Sequence, residues 1–342
     1  MANPVTVGNV DDYLQLTTGD DTLSASGYTN AIVAGLSGND IFRTVPTGGT
    51  FASSAFSGGD GNDRLIVKAN DTVVGTTIYN GGAGTDSLEL ASNGATITMT
   101  ATDTGANVAV GAGGTIVASH VERFVVYGSD NADTFVGSSG NDFLDGRGGV
   151  DTYQGSNGND AYTFDNSNEY VAGPDAGIDT IWTSASVDLN RSAGVENLRL
   201  KTGNIDGTGN DLNNLITGSK GNNVIDGGAG NDQLWGKGGS DTFAFSHFGA
   251  SNRDQIFDFD SNDFIKLNKS VFTNLTAVDG HLAGTDFVVG TAANADHGQV
   301  IYDKATGYLS YDADGTGGGA AQDIAYVGKN LDFLDNAHIL VG

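Results

Sequence analysis

The sequence predicts an all-β solenoid, coils of short stacked strands closed by a β-rich C-terminal cap, and three observations carry that prediction. A nine-residue pattern recurs along the chain, glycine and aspartate hold fixed places in it, and a large apolar residue always stands two places after the aspartate. Recurrence at a short fixed period marks a repeat architecture. One unit cannot bury its own apolar face, so neighbouring coils must stack into a continuous core.

The pattern is clearest where Gly137-Ser-Ser-Gly-Asn-Asp-Phe-Leu-Asp145 runs into Gly146-Arg-Gly-Gly-Val-Asp-Thr-Tyr-Gln154. In this first tandem block the sixth positions are Asp133, Asp142, Asp151 and Asp160, spaced by nine. A second block carries Asn214, Asn223, Asp232 and Asp241, again nine apart, and isolated copies centre on Asp21, Asp40, Asp63 and Asp86. Across these twelve copies the residue two places on is always apolar, from Leu23 and Phe42 to Leu234 and Phe243. Eleven begin with Gly, Leu16 being the exception, and ten have Gly at the fourth place, the exceptions being Asn131 and Leu212. Asn tolerates a left-handed backbone better than most residues, which accommodates Asn131.

Composition agrees. Only Glu89, Glu122, Glu169 and Glu196 are glutamates, so 38 of the 42 acidic residues are Asp. A solubilising surface has no reason for that bias, whereas a short carboxylate suits a tight turn or a hard cation. The 53 glycines supply positive φ in turns, and 3 prolines with 38% hydrophobic residues exclude a disordered acidic tail. A net charge of -27 repels nucleic acid and anionic lipid, so neither is expected as a partner. No apolar run reaches the roughly 18 residues of a membrane-spanning helix. Residues 1–10 lack the basic and apolar regions of a cleavable leader, so none is expected. The absence of Cys removes disulfides and thiolate metal sites.

The repeat resembles the RTX nonapeptide, G-G-x-G-x-D-x-U-x with U a large apolar residue. The resemblance covers residues 17–90, 128–163 and 209–244. It implies a right-handed parallel β-roll or β-helix solenoid in which six residues turn, three form a strand, two nonapeptides complete a coil, and several Ca2+ ions sit between turns. Sixth positions eighteen apart then share an edge, pairing Asp133 with Asp151, Asp142 with Asp160, Asn214 with Asp232 and Asn223 with Asp241. Their carboxylate and amide oxygens plus turn carbonyls are ligands suited to calcium, with the mixed Asn pairs expected to bind more weakly. Asp40, Asp63 and Asp86 stand 23 apart, eighteen plus five, and are read as a third calcium edge whose coils carry a bulge or loop on the opposite side.

The segments between repeats read as further β structure. Residues 95–125 alternate Thr, Val and Ala with Gly, as expected of strands continuing the solenoid. Val121-Glu-Arg-Phe-Val-Val and Val195-Glu-Asn-Leu-Arg-Leu read as one element used twice, with Glu122 and Glu196 aligning an incoming coil. From Asp241 onward the chain changes character: Arg253-Asp-Gln-Ile-Phe-Asp-Phe-Asp-Ser-Asn-Asp-Phe-Ile-Lys-Leu267 resembles the segment that closes RTX rolls in serralysin-type proteases. Ile301-Tyr-Asp-Lys-Ala-Thr-Gly-Tyr-Leu-Ser-Tyr-Asp-Ala-Asp-Gly315, with a hairpin around Thr306-Gly307, extends the resemblance almost to the terminus and implies a β-rich cap. In that family this region is also an uncleaved export signal, which implies a type I secretion apparatus as partner and a secreted product. Asp312-Ala-Asp-Gly opens like a calcium loop, but the rest of an EF-hand is missing, so it reads as a turn. The expected organisation is an N-terminal solenoid at 1–127, repeat blocks at 128–168 and 209–246 joined by 169–208, and a cap at 247–342.

No catalytic motif accompanies the repeats. There is no H-E-x-x-H or G-x-S-x-G, and His120, His247, His281, His297 and His338 form no i, i+4 pair. The one enzyme reading with candidate residues is a calcium-dependent polysaccharide lyase or uronate epimerase using His120, Arg123 and Tyr127, although alternation places His120 opposite Arg123. The stronger expectation is a secreted, non-catalytic protein of a structural, surface-layer or adhesive kind. Its partners would be calcium, a cell-surface polysaccharide or further copies of itself.

Overall fold

In the computed structural model, which describes residues 3–92, 94–102, 105–173 and 176–342, nearly all regular structure is β-strand. The chain divides into two compact units, Met1–Thr180 and Ile181–Gly342, and each is a parallel β-solenoid. The division falls inside the connection expected at 169–208.

In the first unit one wall is a parallel stack of Asp21–Thr29, Ile41–Thr44, Arg64–Val67, Ser87–Ala91, Arg123–Tyr127, Phe143–Asp145 and Ala161–Phe164. The register brings the repeat's apolar residues over one another, Leu23 on Phe42, Leu65 and Leu88, then Leu144 on Tyr162, each fully buried. Period two explains this. In a three-residue strand only the middle side chain faces inward, so one large apolar residue per nonapeptide fills the core.

The coils at Asp40 and Asp63 depart from the expected two-sided shape. Their five extra residues form neither a bulge nor a loop but a third wall, in which Thr50–Ala52 pairs in parallel with the end of Asp21–Thr29 and the start of Thr72–Ala83. Tyr28, Phe51 and Phe56 fill the widened interior, with Tyr28 stacked on Phe51 at 5.2 Å and edge-on to Phe56 at 4.9 Å. Asp71 ties the corner by accepting from Thr44 Oγ1 at 2.5 Å, Gly49 N at 2.9 Å and Lys68 N at 2.7 Å. The Lys68 ammonium donates to the Thr44 and Val45 carbonyls.

Residues 95–125 are strand, as expected, but they do not simply continue the solenoid. Ile97–Thr102, Gly105–Val110 and Gly114–Ser119 form an antiparallel meander. Its outer members join the parallel wall on either side, Gly114–Ser119 to Thr72–Ala83 and Ile97–Thr102 to Thr134–Val136. Residues 103 and 104 of that stretch lie outside the described residues. Glycines at Gly105 (φ 155°) and Gly111 (φ 60°) allow the reversals.

The second unit opposes two parallel stacks. Asn197–Leu200, Leu215–Thr217, Gln233–Trp235 and Asp254–Ile256 make one, and Gly207–Thr208, Val224–Asp226, Thr242–Phe245 and Phe264–Leu267 the other. Ile216, Leu234, Ile225 and Phe243 are fully buried between them. The expected hairpin is present, Gln299–Asp303 pairing antiparallel with Tyr308–Asp312 through Gly307 at φ 86°. Gln322–Tyr326 and Ile339–Val341 then add parallel strands to the two stacks.

A buried rung residue carries this fold. Leu65→Ala should cost about 2–5 kcal/mol of calcium-loaded stability, whereas exposed Val224→Ala should stay within about 0.5 kcal/mol. Urea unfolding midpoints of the two variants in saturating calcium measure the difference.

Candidate metal centre

The turn that carries the aspartates is shaped by glycine at two places. The fourth position is left-handed in seven copies, with φ 107° at Gly38, 133° at Gly61, 120° at Gly230 and 126° at Gly239 among them, where a side chain would be strained. Gly19, Gly140, Gly221, Leu212 and Asn131 do not have positive φ, so Asn131 needs no left-handed tolerance. The first position is closed by contact. A Cβ on Gly58 would strike the Asp63 carboxylate and the Gly81 carbonyl oxygen, and one on Gly227 the Asp232 carboxylate. Each first-position glycine thus leaves room for a cluster of oxygens that any other residue would displace.

Those oxygens belong to a ladder. One carboxylate oxygen of a sixth-position aspartate, Asp21 excepted, accepts a backbone N–H of the preceding coil, whereas the Oδ1 atoms of Asn214 and Asn223 accept from Asn210 N and Ser219 N in their own turns. On one edge of the first unit Asp21 N donates to Asp40 Oδ1 at 2.9 Å, Asp40 N to Asp63 Oδ1 at 2.6 Å and Asp63 N to Asp86 Oδ1 at 2.7 Å. Asp86 N donates to Glu122 Oε2 at 2.8 Å, so the glutamate expected to align a coil occupies a rung. Asp142 N to Asp160 Oδ1 at 2.8 Å and Asp160 N to Asp179 Oδ1 at 2.7 Å continue the series. On the other edge Asp133 N donates to Asp151 Oδ1 at 2.8 Å. In the second unit Asn214 N meets Asp232 Oδ1 at 2.7 Å and Asn223 N meets Asp241 Oδ1 at 2.8 Å. The pairs expected from the eighteen-residue spacing are therefore neighbours on their edges.

Several rungs went unassigned in the sequence. Asp232 N donates to Asp254 Oδ1 and Asp241 N to Asp263 Oδ1, both at 2.9 Å. Both partners lie 22 residues on, eighteen plus four, a spacing of the same kind that linked Asp40 to Asp63. Glu169, paired in register through its neighbour Tyr170 with Thr152, is a further buried acid next to Asp151. A second ladder, of fifth-position amides, runs alongside: Asn62 N donates to Asn39 Oδ1 at 2.7 Å, and Asn231 N to Asn213 Oδ1 at 2.8 Å.

The second oxygens divide the rungs into two kinds. Asp40 Oδ2, Asp63 Oδ2 and Asp86 Oδ2 are buried with no hydrogen-bond partner. Asp151 Oδ2, Glu169 Oε1 and Asp232 Oδ2 have none when the adjoining acids Asp151 with Glu169 and Asp232 with Asp254 are ionised, a shared proton being what would join each pair. A buried carboxylate oxygen left unpaired is costly, and a hard cation satisfies it. Asp133 and Asp142 are answered within the protein, since Oδ2 accepts from the backbone and hydroxyl of Ser129 and of Ser138. Asn214 and Asn223 satisfy themselves, Asn214 Nδ2 donating to the Val195 and Glu196 carbonyls and Asn223 Nδ2 to those of Gly203 and Ile205. Among the described residues no three His, Asp or Glu side chains converge on one ion, so coordination must draw on turn carbonyls as well. The residues fit calcium: oxygen donors only, short carboxylates, and glycine-made room beside a carbonyl.

Electrostatics agrees. Burial pushes Asp40 up to about 6 and Asp63 up to about 7, with neighbouring aspartates adding to the shift. Asp142 and Asp241 are raised to about 6 by the same desolvation. Burial also raises the adjoining acids Asp232 with Asp254 and Asp151 with Glu169.

The lyase candidates are placed differently. His120 turns a corner at φ 50° with Nδ1 3.0 Å from Asn80 Oδ1, and Arg123 is exposed. Tyr127 packs on Phe143 at 5.4 Å beneath the Arg147 guanidinium. Asp314, in the calcium-loop-like turn, accepts from Gly319 N at 3.0 Å and folds that loop on itself.

Residues 127–162 and 208–243 match the family described as RTX calcium-binding nonapeptide repeat (4 copies), so the chain carries repeats that bind Ca2+. No curated protein matches the chain. Among solved structures it is similar to the extracellular lipase LipA from Serratia marcescens, at 16% identity and a TM-score of 0.21 over 97% of this chain and 40% of that one. The chain spans well under half of that lipase, and no conclusion about activity rests on the likeness. Among the described residues no helix is long and apolar enough to cross a membrane.

The raised carboxyls set a pH dependence with a definite sign. Without metal the fold holds protons that the unfolded chain releases near pH 4, so stability falls as pH rises from about 4 to about 7. Calcium requires the ionised carboxylates, so loaded protein should instead lose stability as pH falls through that window. The thermal midpoint of calcium-saturated protein should rise from pH 4.5 to 7.5, whereas dialysed protein should show more β signal at pH 4.5 than at 7.5.

Proposed function

We propose that the protein is an extracellular, non-catalytic structural or surface-interaction protein whose solenoid is completed by calcium after export. The observation that carries this reading is the row of buried carboxylate oxygens with no partner at Asp40, Asp63 and Asp86, repeated at Asp151 and Asp232 when these are ionised. Stacked like charges about 4 Å apart repel by roughly 4 kcal/mol at an effective dielectric near 20. The edge is therefore unfavourable until a divalent cation supplies compensating charge and coordination between rungs. In a low-calcium interior the chain stays extended enough to thread an exporter, and the C-terminal segment is the part assigned to engage a type I apparatus. A site holding calcium at ten times its dissociation constant contributes about 1.4 kcal/mol, so several rival the roughly 5–15 kcal/mol stability of a whole domain.

Circular dichroism of calcium-free protein at neutral pH should show a largely unfolded chain, with the β signal appearing on addition of millimolar calcium. A compact, protease-resistant chain in excess chelator at pH 7.5 would refute the reading. Asp63→Asn, which replaces an unpartnered oxygen by an amide, should raise the calcium midpoint for folding, while Asn214→Asp should create a new calcium-sensitive step. A lattice or adhesive role further predicts release of the protein from producing cells when chelator is added to the culture.

A further inference from the structure

Regularity in the first unit fails at one corner. Ser119 is in register with Asn80 and Arg123 with Ser87, yet six residues, 81–86, separate the earlier pair and only three, 120–122, the later one. The next coil again has a six-residue turn, 137–142, between Val136 and Phe143. A short corner between two long ones leaves a notch in the wall of turns. The amide ladder is broken at the same place: it runs from Asn39 to Asn62 to Thr85 and resumes only at Asn141 and Asn159.

Two adjoining cavities fill the notch, of ≈ 340 Å³ and ≈ 590 Å³, and both are lined by Thr85 and Arg123. Arg64 and Glu89 border the smaller, joined by an ion pair of 2.6 Å, while Asn141 and Asn159 border the larger. Arg123 is exposed and makes no ion pair among the described residues, in a chain of net charge -27. The Oδ1 atoms of Asn62, Asn141 and Asn159 are spent on the ladder, and their Nδ2 groups have no acceptor among the described residues.

We infer that this notch binds a carboxylated glycan, a chain of uronate sugars lying along the stack of coils. The Arg123 guanidinium presents a planar fork matched to a sugar carboxylate. Arg64 stands two rungs away in the same column, about 10 Å along the stack, so it reaches a second carboxylate on the same chain. The free Asn amides donate to ring hydroxyls, Thr85 exchanges hydrogen bonds with them, and Glu89 accepts from them. Asp86, Glu122 and Asp142 also line the cavities, so an anionic chain is held only where its carboxylates meet the two arginines. The proposal deepens the surface-interaction reading above by giving it a ligand, and it rests on that reading only for the folded, calcium-loaded state.

Isothermal titration of the full calcium-loaded chain with polygalacturonate oligomers tests it, calcium being held in excess of both partners. Binding is expected with polygalacturonate and not with its carboxyl-reduced polymer or with dextran. Arg123→Gln should weaken binding roughly tenfold or more, as for loss of one charge-assisted contact, and Arg64→Gln should weaken it less because Glu89 already engages that side chain. Lys220→Gln, the same charge change on an exposed lysine of the other unit, should have no effect. Each variant is first shown to reach the wild-type β signal in calcium. Equal binding by the reduced polymer, undiminished binding by Arg123→Gln, or no binding by a fully folded wild type overturns the glycan site and leaves calcium-dependent folding intact. A chain that fails to respond to calcium overturns the earlier reading instead.

Discussion

The hydrogen bond from the backbone N–H of one rung to the carboxylate of the next is the interaction on which the remaining structure depends. It fixes the register between coils, because Asp63 accepts from Asp40 only when Leu65 lies over Phe42. It also forces the carboxylate inward, beneath a turn whose first residue has no side chain to spare the space. One oxygen is then satisfied and the other confined. On the proposed reading, the two-lone-pair chemistry of a carboxylate, half answered by the backbone, gives calcium a structural part in the solenoid.

This constraint also explains which features could be read from the sequence. Period nine, first-position glycine and the apolar eighth position are each demanded by the turn and the strand after it, so they recur wherever the repeat does and show without coordinates, whereas glycine at the fourth position is required only in the copies that are left-handed there. The edge pairs Asp133–Asp151 and Asp142–Asp160 followed from spacing alone, and so did the shared edge of Asp40, Asp63 and Asp86. Asp254 and Asp263 were harder because their rungs are reached through strands whose turns are not nonapeptides. Glu122 was legible as an aligning residue but not as a rung, since its longer side chain reaches Asp86 N from a corner that has lost three residues.

The third wall at Thr50–Ala52 and the meander from Ile97 to Ser119 were illegible for a different reason. Both depend on long-range pairing. Five extra residues look like a loop until Phe51 is seen to be buried against Tyr28, and alternating Thr and Val specifies strand without specifying direction. The fifth-position amides lay in plain view within the repeat, yet nothing in one nonapeptide distinguishes an exposed Asn from one that binds the coil eighteen residues on.

Variation within the ladder shows that calcium is one of three answers to the same problem. At Asp133 and Asp142 a serine two residues into the turn donates twice to the second oxygen. At Asn214 and Asn223 the acceptor is exchanged for an amide that donates to carbonyls of the preceding coil. Where neither substitute is present, as at Asp40 or Asp63, a buried oxygen remains that a cation would answer. Under the proposed function, dependence on calcium would therefore vary rung by rung, since each unit combines coils whose rung oxygens are answered within the protein with coils whose rung oxygens are not. Such a mixture gives a nascent solenoid places from which to propagate once ions arrive, since in a stacked repeat each coil needs only its immediate neighbours.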